Sequence, residues 1–354
     1  MGTYIIRRLL LIPVLLFGVT ILIFSMLQFL SPVERSALYV RDIPKTEHQV
    51  DGIILKYGLD KPLYVQYWRW LTGTIDPVTD ERNGGIIFGD FGWSRTGSQP
   101  VAQLIKTRFP NTLDLTLWAI GPVILVGIWL GIQAAVHHNG FIDQAGRVFS
   151  IVGTSFPTFV FGLLVLMIFY ANLQWFPPGR LTTGMQQVVS SDQFTRYTTL
   201  LTIDSLLNGR FDIFIDALRH MILPILTLSY LSWATFLRVT RSSMLETLRQ
   251  EYVTTARAKG LPERDVIFKH ARPNAMISVV TLAGFTVVGL MGGVVITETV
   301  FDYPGIGKAA AEAAQQLDVV TVLGFALFNG LILIVANVVV DVLYAVVDPR
   351  VRLS

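Results

Sequence analysis

The chain has 354 residues, 52% of them hydrophobic and only 15% charged, against roughly 25% charged in an ordinary soluble domain, so its composition is that of a membrane protein. The net charge of +3 says little by itself, and what matters is where the charges lie. With no cysteine, disulfides, thiolate nucleophiles and Cys-ligated metals are excluded.

A helix needs about 20 apolar residues to cross a bilayer core. Six segments meet that measure, approximately 9–30, 113–136, 148–170, 221–237, 275–297 and 321–347. Arg7 and Arg8 precede the first run as they would in a signal peptide. The run is too long for a signal core, however, and no small-residue cleavage site follows, so it reads as a retained helix.

Ser31 to Asn111 then forms an external region too long to be a simple connection. Within it, GLDKPLYVQYWRWL predicts a helix with Asp60 as N-cap and Pro62 in the first turn. Tyr64, Tyr67, Trp68 and Trp70 make an aromatic cluster suited to a membrane interface. Gly84, Gly85, Gly89, Gly92 and Gly97 mark the stretch that follows as loop.

After the second span, His137 and His138 are adjacent, and neighbouring helical side chains diverge by about 100°. They read as a solvated loop and not as a metal site. A second external stretch runs from Ala171 to Asp216, and a third is TETVFDYPGIGKAAAEAAQQLD. The small-residue spacings Gly127–Gly131 and Gly289–Gly293 suit close helix packing. The expected fold is an all-α membrane protein: 1–111 holds the first span and an external region, and 112–354 is a five-helix core.

Orientation follows from the short loops. The loop between spans four and five carries Arg238, Arg241, Arg249, Arg257, Lys259, Arg264, Lys269 and Arg272, whereas the loop before span six is mainly acidic. Both termini and the 238–273 loop are therefore expected in the cytoplasm.

Enzymatic constellations are missing, with no HExxH, GxSxG or CxxC. PGIGKA is not a phosphate loop, because Asp302 stands where that motif needs Gly and Ala309 where it needs Ser or Thr. Asp114 and Asp341 lie close to span ends, where they read as wetted or paired. A carrier driven by an ion gradient, the alternative class, is expected to place ionisable groups near the bilayer centre.

The segment EYVTTARAKGLPERDVIFKHARPNA is different. Glu251 to Ala258 predicts a short helix, ended by Gly260, which enters the left-handed region freely. Pro262 prevents continuation, and Glu263 to Ala271 predicts a second helical piece before Pro273. A loop that served topology alone would not need this helix–bend–helix order.

This segment resembles the EAA loop of permease subunits in binding-protein-dependent ABC importers. Ala256, Gly260 four positions on, and Pro273 thirteen after that match the second Ala, the Gly and the Pro of that motif. Thr254 and Thr255 replace its Glu and first Ala, and His270 and Arg272 replace aliphatic positions. Those departures are similar to the dipeptide/oligopeptide branch, as are YIIRRLLLIPVLLFGVTILIF, GDFGWS, RFPNTLDL, RHMILPILTLSY, ETVFDYPGIGKA and VDVLYAVVDPRVR. One departure is SPVERSA, where the family often has a Pro-Gly-Asp-Pro turn.

The resemblance implies a six-span type I importer permease in a bacterial or archaeal inner membrane. It implies a related second permease, two cytoplasmic ATPases that bind the ATP and magnesium, and an extracytoplasmic substrate-binding protein. No cofactor, metal, nucleic acid or covalent chemistry is expected for this chain. Glu251, Ala256, Arg257, Gly260 and Pro273 would couple to the ATPase: Glu251 and Arg257 by polar contact, Ala256 by close approach, Gly260 by the bend, Pro273 by the return to the membrane. Phe301, Pro304, Gly305 and Asp318 would dock the binding protein. The expected cargo is di- or oligopeptide, with oligosaccharide, nickel or glutathione as the alternatives.

Overall fold

A computed structural model describes residues 2–36, 46–75, 82–292 and 294–347. Four of its helical segments are long and apolar enough to cross a membrane: Leu10–Leu27, Val101–Val136, Glu263–Met291 and Val319–Val342. The pair Phe141–Ser155 and Thr158–Asn172 makes a fifth if a break of 102° is allowed within one span.

This count differs from the six expected, for two local reasons. The third apolar run is not one rod, because Phe156 is extended (φ −90°, ψ 126°) ahead of Pro157. The residue before a proline is pushed out of the helical region, and the chain turns there. The fourth run lies inside the 38-residue helix Phe211–Leu248, which extends beyond both of its ends and is not among the four. That helix is central and buries Ile213, Met221, Phe236, Thr240 and Met244, so neighbouring protein lines much of its length.

The described residues group into two compact units, one built on 111–304 and 336–347, the other on 2–110 with 305–335. In the first, the central helix packs against Arg272–Met291, Phe141–Ser155 and Thr158–Leu166. Lipid tails are as apolar as leucine, so close packing holds such helices together more than water expulsion does. Gly127 and Gly131 supply it: a Cβ on either would stand 2.5 Å from Phe236 or Thr240. The second expected spacing differs, for Gly289 faces open space and Gly293 lies outside the described residues.

The second unit holds helix Gly2–Leu27 and helix Leu63–Thr72. Tyr67 meets Phe17 and Phe24 edge-on and lies 2.8 Å from the Thr20 hydroxyl, while Tyr64 and Trp68 remain exposed. The aromatic cluster thus splits into a packed face and a free face. Pro62, not Asp60, occupies the N-cap, and Asp60 instead lies 3.5 Å from Lys61. The preceding turn is held from inside, where the Gln66 amide donates to the carbonyls of Leu59 (2.9 Å) and Lys61 (2.6 Å).

The SPVERSA departure has a physical account. The Ser31 N–H donates to Glu34 (2.7 Å) and the Glu34 N–H to the Ser31 hydroxyl (3.3 Å). This capping box starts helix Pro32–Ser36 with proline in its first position.

Candidate coupling site

The segment after the central helix folds into helix Glu251–Ala258, a bend, a short turn Glu263–Asp265, a π-helical stretch Val266–Ala271, and helix Arg272–Met291. Its base is built into the protein. Val253 and Ala256 pack with Ile132, Met244, Val266 and Ile267 in one buried cluster. Ala256 thus lies against the chain's own core, while Glu251 and Pro273 are exposed.

The bend is a Schellman turn. The Leu261 N–H bonds the Ala256 carbonyl (3.4 Å) and the Gly260 N–H that of Arg257 (2.9 Å). Gly260 sits at φ +74° with nothing within 4 Å of where a Cβ would project. Backbone conformation, not space, requires glycine there.

Arg257 spans the bend. Its guanidinium donates to both Glu263 carboxylate oxygens, at 2.7 and 3.1 Å, and lies 3.4 Å from the Leu248 carbonyl. One side chain therefore joins the end of the central helix, the short helix and the piece beyond the bend. The pair raises the Arg257 guanidinium above its ordinary pKa. Both groups are about half exposed (41% and 56%), so the fork contributes less than about 1 kcal/mol to stability. We expect Arg257→Ala to leave the melting temperature nearly unchanged but to lower coupled uptake up to about fivefold, because the bend loosens. Parallel thermal unfolding and vesicle uptake measurements check this.

Beyond the bend, the expected stop at Pro273 is not found. The helix runs through it, and 263–291 is one 29-residue segment. The π-helical turns at 266–271 are wider than α-helical ones, which accommodates a residue lacking an N–H. Tyr252, Leu261 and Phe268 are exposed around the bend, with Arg272 5.9 Å over the Phe268 ring.

The residues expected to dock an outer partner lie deeper. In the first unit, Phe301 is 1% exposed, its carbonyl accepts from the Gly179 N–H (2.8 Å), and Pro304 is half-buried with its carbonyl accepting from Asn111 (2.7 Å). In the second, Gly305 is buried ahead of helix Ile306–Gln315, and Asp318 caps the last span. Its carboxylate accepts from the Thr321 hydroxyl (2.6 Å) and N–H (3.2 Å), the Thr96 N–H (3.0 Å) and the Ser94 hydroxyl (3.1 Å). The Phe301 and Asp318 side chains are thus interior groups, and Leu317 beside Asp318 is the exposed one.

Burial pushes the Asp318 carboxyl up, and the bonds from Thr321, Thr96 and Ser94 outweigh it, leaving it below 3.8. A depressed folded-state value stabilises above the unfolded pKa, and that contribution is lost as pH falls through the folded one. We expect Asp318→Ala to cost about 1–2 kcal/mol at neutral pH. Its gap from the parent should narrow below pH about 4, as read by thermal unfolding in detergent.

Several buried polar groups went unmarked in the sequence. Asp143, with no exposure, lies 2.9 Å from Arg241, 3.0 Å from Arg147 and 3.3 Å from His138. Glu298, equally buried, accepts from the Thr112 hydroxyl at 2.6 Å. Tyr303 is fully buried, which raises its phenol above the ordinary value, and faces Arg180 without completing a well-formed hydrogen bond. Asp114, already singled out near a span end, is buried and paired, accepting from the Thr202 hydroxyl (2.5 Å) and N–H (3.2 Å). The i,i+4 spacing of Asp143 and Arg147 was the one available signal. Among the described residues no group of three His, Cys, Asp or Glu side chains is arranged to hold a metal.

Comparison with known proteins covers almost the whole length. Residues 1–116 match the N-terminal part of binding-protein-dependent transport system membrane components, and residues 124–353 match the binding-protein-dependent transport system inner membrane component. The oligopeptide transport system permease protein AppB of Bacillus subtilis is 36% identical over 355 residues, covering 99% of this chain and 100% of its own. The probable D,D-dipeptide transport system permease protein DdpB of Escherichia coli is 39% identical over 303 residues, 85% of this chain and 84% of its own. The glutathione transport system permease protein GsiC of Salmonella paratyphi A is 35% identical, covering 99% of each. With both segments matched in order, the chain belongs to the family of binding-protein-dependent transport system inner membrane components.

Proposed function

We propose that this chain is a permease subunit of an ATP-driven importer for di- or oligopeptides, forming half of the path through the inner membrane. The carrying observation is the Schellman bend at Gly260, whose helix is rooted in the chain's own core and whose outer side exposes Tyr252, Leu261 and Phe268. Such a bend receives a push at its tip and passes it to the central helix through the buried packing of Val253 and Ala256 against Met244. Moving a two-state gate from 1:99 to 99:1 takes about 5.5 kcal/mol of differential binding, which a floppy loop would dissipate. The ATP and magnesium belong to two cytoplasmic ATPases, and this chain carries out no covalent step.

In this reading six spans cross the membrane, with Phe211–Leu248 and the bent pair each counted once, and both termini lie in the cytoplasm. A related permease completes the path, and an extracytoplasmic binding protein delivers cargo. Glu251 and the exposed apolar groups meet the ATPase. Peptide cargo is favoured because relatives are named for oligopeptide and D,D-dipeptide transport. The test is uptake of labelled peptide into vesicles holding the assembled system. Import that needs ATP and stops with vanadate supports the reading, and import abolished by an ionophore alone would replace it with a gradient-driven carrier.

A further inference from the structure

The second unit contains a cavity of about 370 Å³ that the transport reading does not use. Its floor is Leu27, the last residue of the first span, with Leu323 and Leu327 from the opening turns of the last span. Trp70 and Trp93 line its sides, and Arg69 lines it from helix Leu63–Thr72. Apolar side chains at the ends of two spans, flanked by tryptophan, are what a membrane–water boundary selects.

Arg69 decides what such a cavity would take. Its side chain makes no hydrogen bond or ion pair to any described residue, although it is half-buried. Asp90 also lines the cavity, but it is engaged by its own turn, accepting from the Gly92 N–H at 2.9 Å, and forms no ion pair with Arg69. The guanidinium lies across Gly58, where any Cβ would collide with its Nη1. Gly58, at φ +68°, both ends helix Glu47–Tyr57 and leaves room for the guanidinium. A cation with no counter-ion among the described residues, beside aromatic rings and apolar side chains, fits a ligand with an oxyanion at one end and hydrocarbon at the other.

The geometry points to a lipid site: this cavity holds the phosphate headgroup of an anionic phospholipid, with Arg69 on the phosphate and an acyl chain against Leu27, Leu323 and Leu327. A membrane phospholipid is favoured over a soluble carboxylate because the floor belongs to the two spans themselves. The inference stands apart from the import reading, since its readout is lipid retention and not uptake.

The test is native mass spectrometry of the full-length protein, purified in mild detergent and titrated with phosphatidylglycerol. The unmodified protein should retain the lipid, Arg69→Gln should retain roughly fivefold less, and Arg69→Lys should fall between them. Leu323→Phe narrows the floor with the cation intact and should lower retention as well, which covers the case of an unstable Arg69→Gln. Equal retention by the parent, Arg69→Gln and Leu323→Phe would overturn the assignment. Displacement of the lipid by a free dipeptide would overturn it too, giving the cavity to a carboxylate ligand.

Discussion

Gly260→Val should bring ATP-driven uptake down by tenfold or more while the protein still inserts and assembles, an effect set by about 1–2 kcal/mol of left-handed backbone strain. The residue sits at φ +74° and nothing approaches the position of its missing Cβ. The valine therefore fits spatially, and the penalty is entirely conformational, at its worst for a β-branched side chain. The backbone has two responses. It keeps the bend and carries the strain, or it relaxes and gives up the bonds from Leu261 to Ala256 and from Gly260 to Arg257. Relaxation also separates Arg257 from Glu263, so the short helix loses its tie to the piece beyond the bend. Gly260→Asn, the non-glycine residue most at ease in the left-handed region, should retain much more uptake. The measurement is vesicle uptake with the partner ATPases present, alongside thermal unfolding of each variant. Full uptake by the valine variant would mean that the shape of this bend is not what transmits the push.

The bend was legible in the sequence because its cause is local. A glycine after a short helix, followed at once by leucine and proline, has few other ways to continue, and the structure has that turn at Gly260 and Pro262. The same local logic, applied to Pro273, ran the wrong way. A proline ordinarily stops a helix, but here six residues of π geometry ahead of it change the carbonyl register, and nothing in KHARPNA announces that. SFPTF in the third apolar run did contain a break signal, but counting hydropathy over a window averages a single proline away, and the 102° bend was lost. Phe301 and Asp318 were hardest to place. A motif can suggest that an outer segment is used, but burial depends on packing among residues far apart in sequence. For Asp318 those are Ser94 and Thr96, more than two hundred residues away.

Asp143 was hidden for a related reason, and its removal should have the largest effect on stability. The carboxylate is fully buried and takes both a two-pronged bond from Arg241 (2.5 and 2.9 Å) and a third from Arg147 (3.0 Å). It also accepts from the Asn139 N–H (2.9 Å), which closes the turn ahead of helix Phe141–Ser155. Asp143→Ala deletes the anion and leaves Arg241, only 19% exposed, beside Arg147 and His138 with no counter-charge. Breaking a buried pair from one side costs about 3–5 kcal/mol, since the remaining charge has already been taken out of water. The partial exposure of Arg241 places the expected loss near the lower end of that range. Arg241→Met in the same chain should recover part of it, because the stranded cation is then gone as well. Unfolding of the single and double variants in detergent gives the comparison. If the double variant proves no more stable than Asp143→Ala, the loss comes from the opened 139–143 turn and not from the unpaired guanidinium. The Asn139 contact, which orders the entry to helix Phe141–Ser155, would then carry most of the stability that Asp143 supplies.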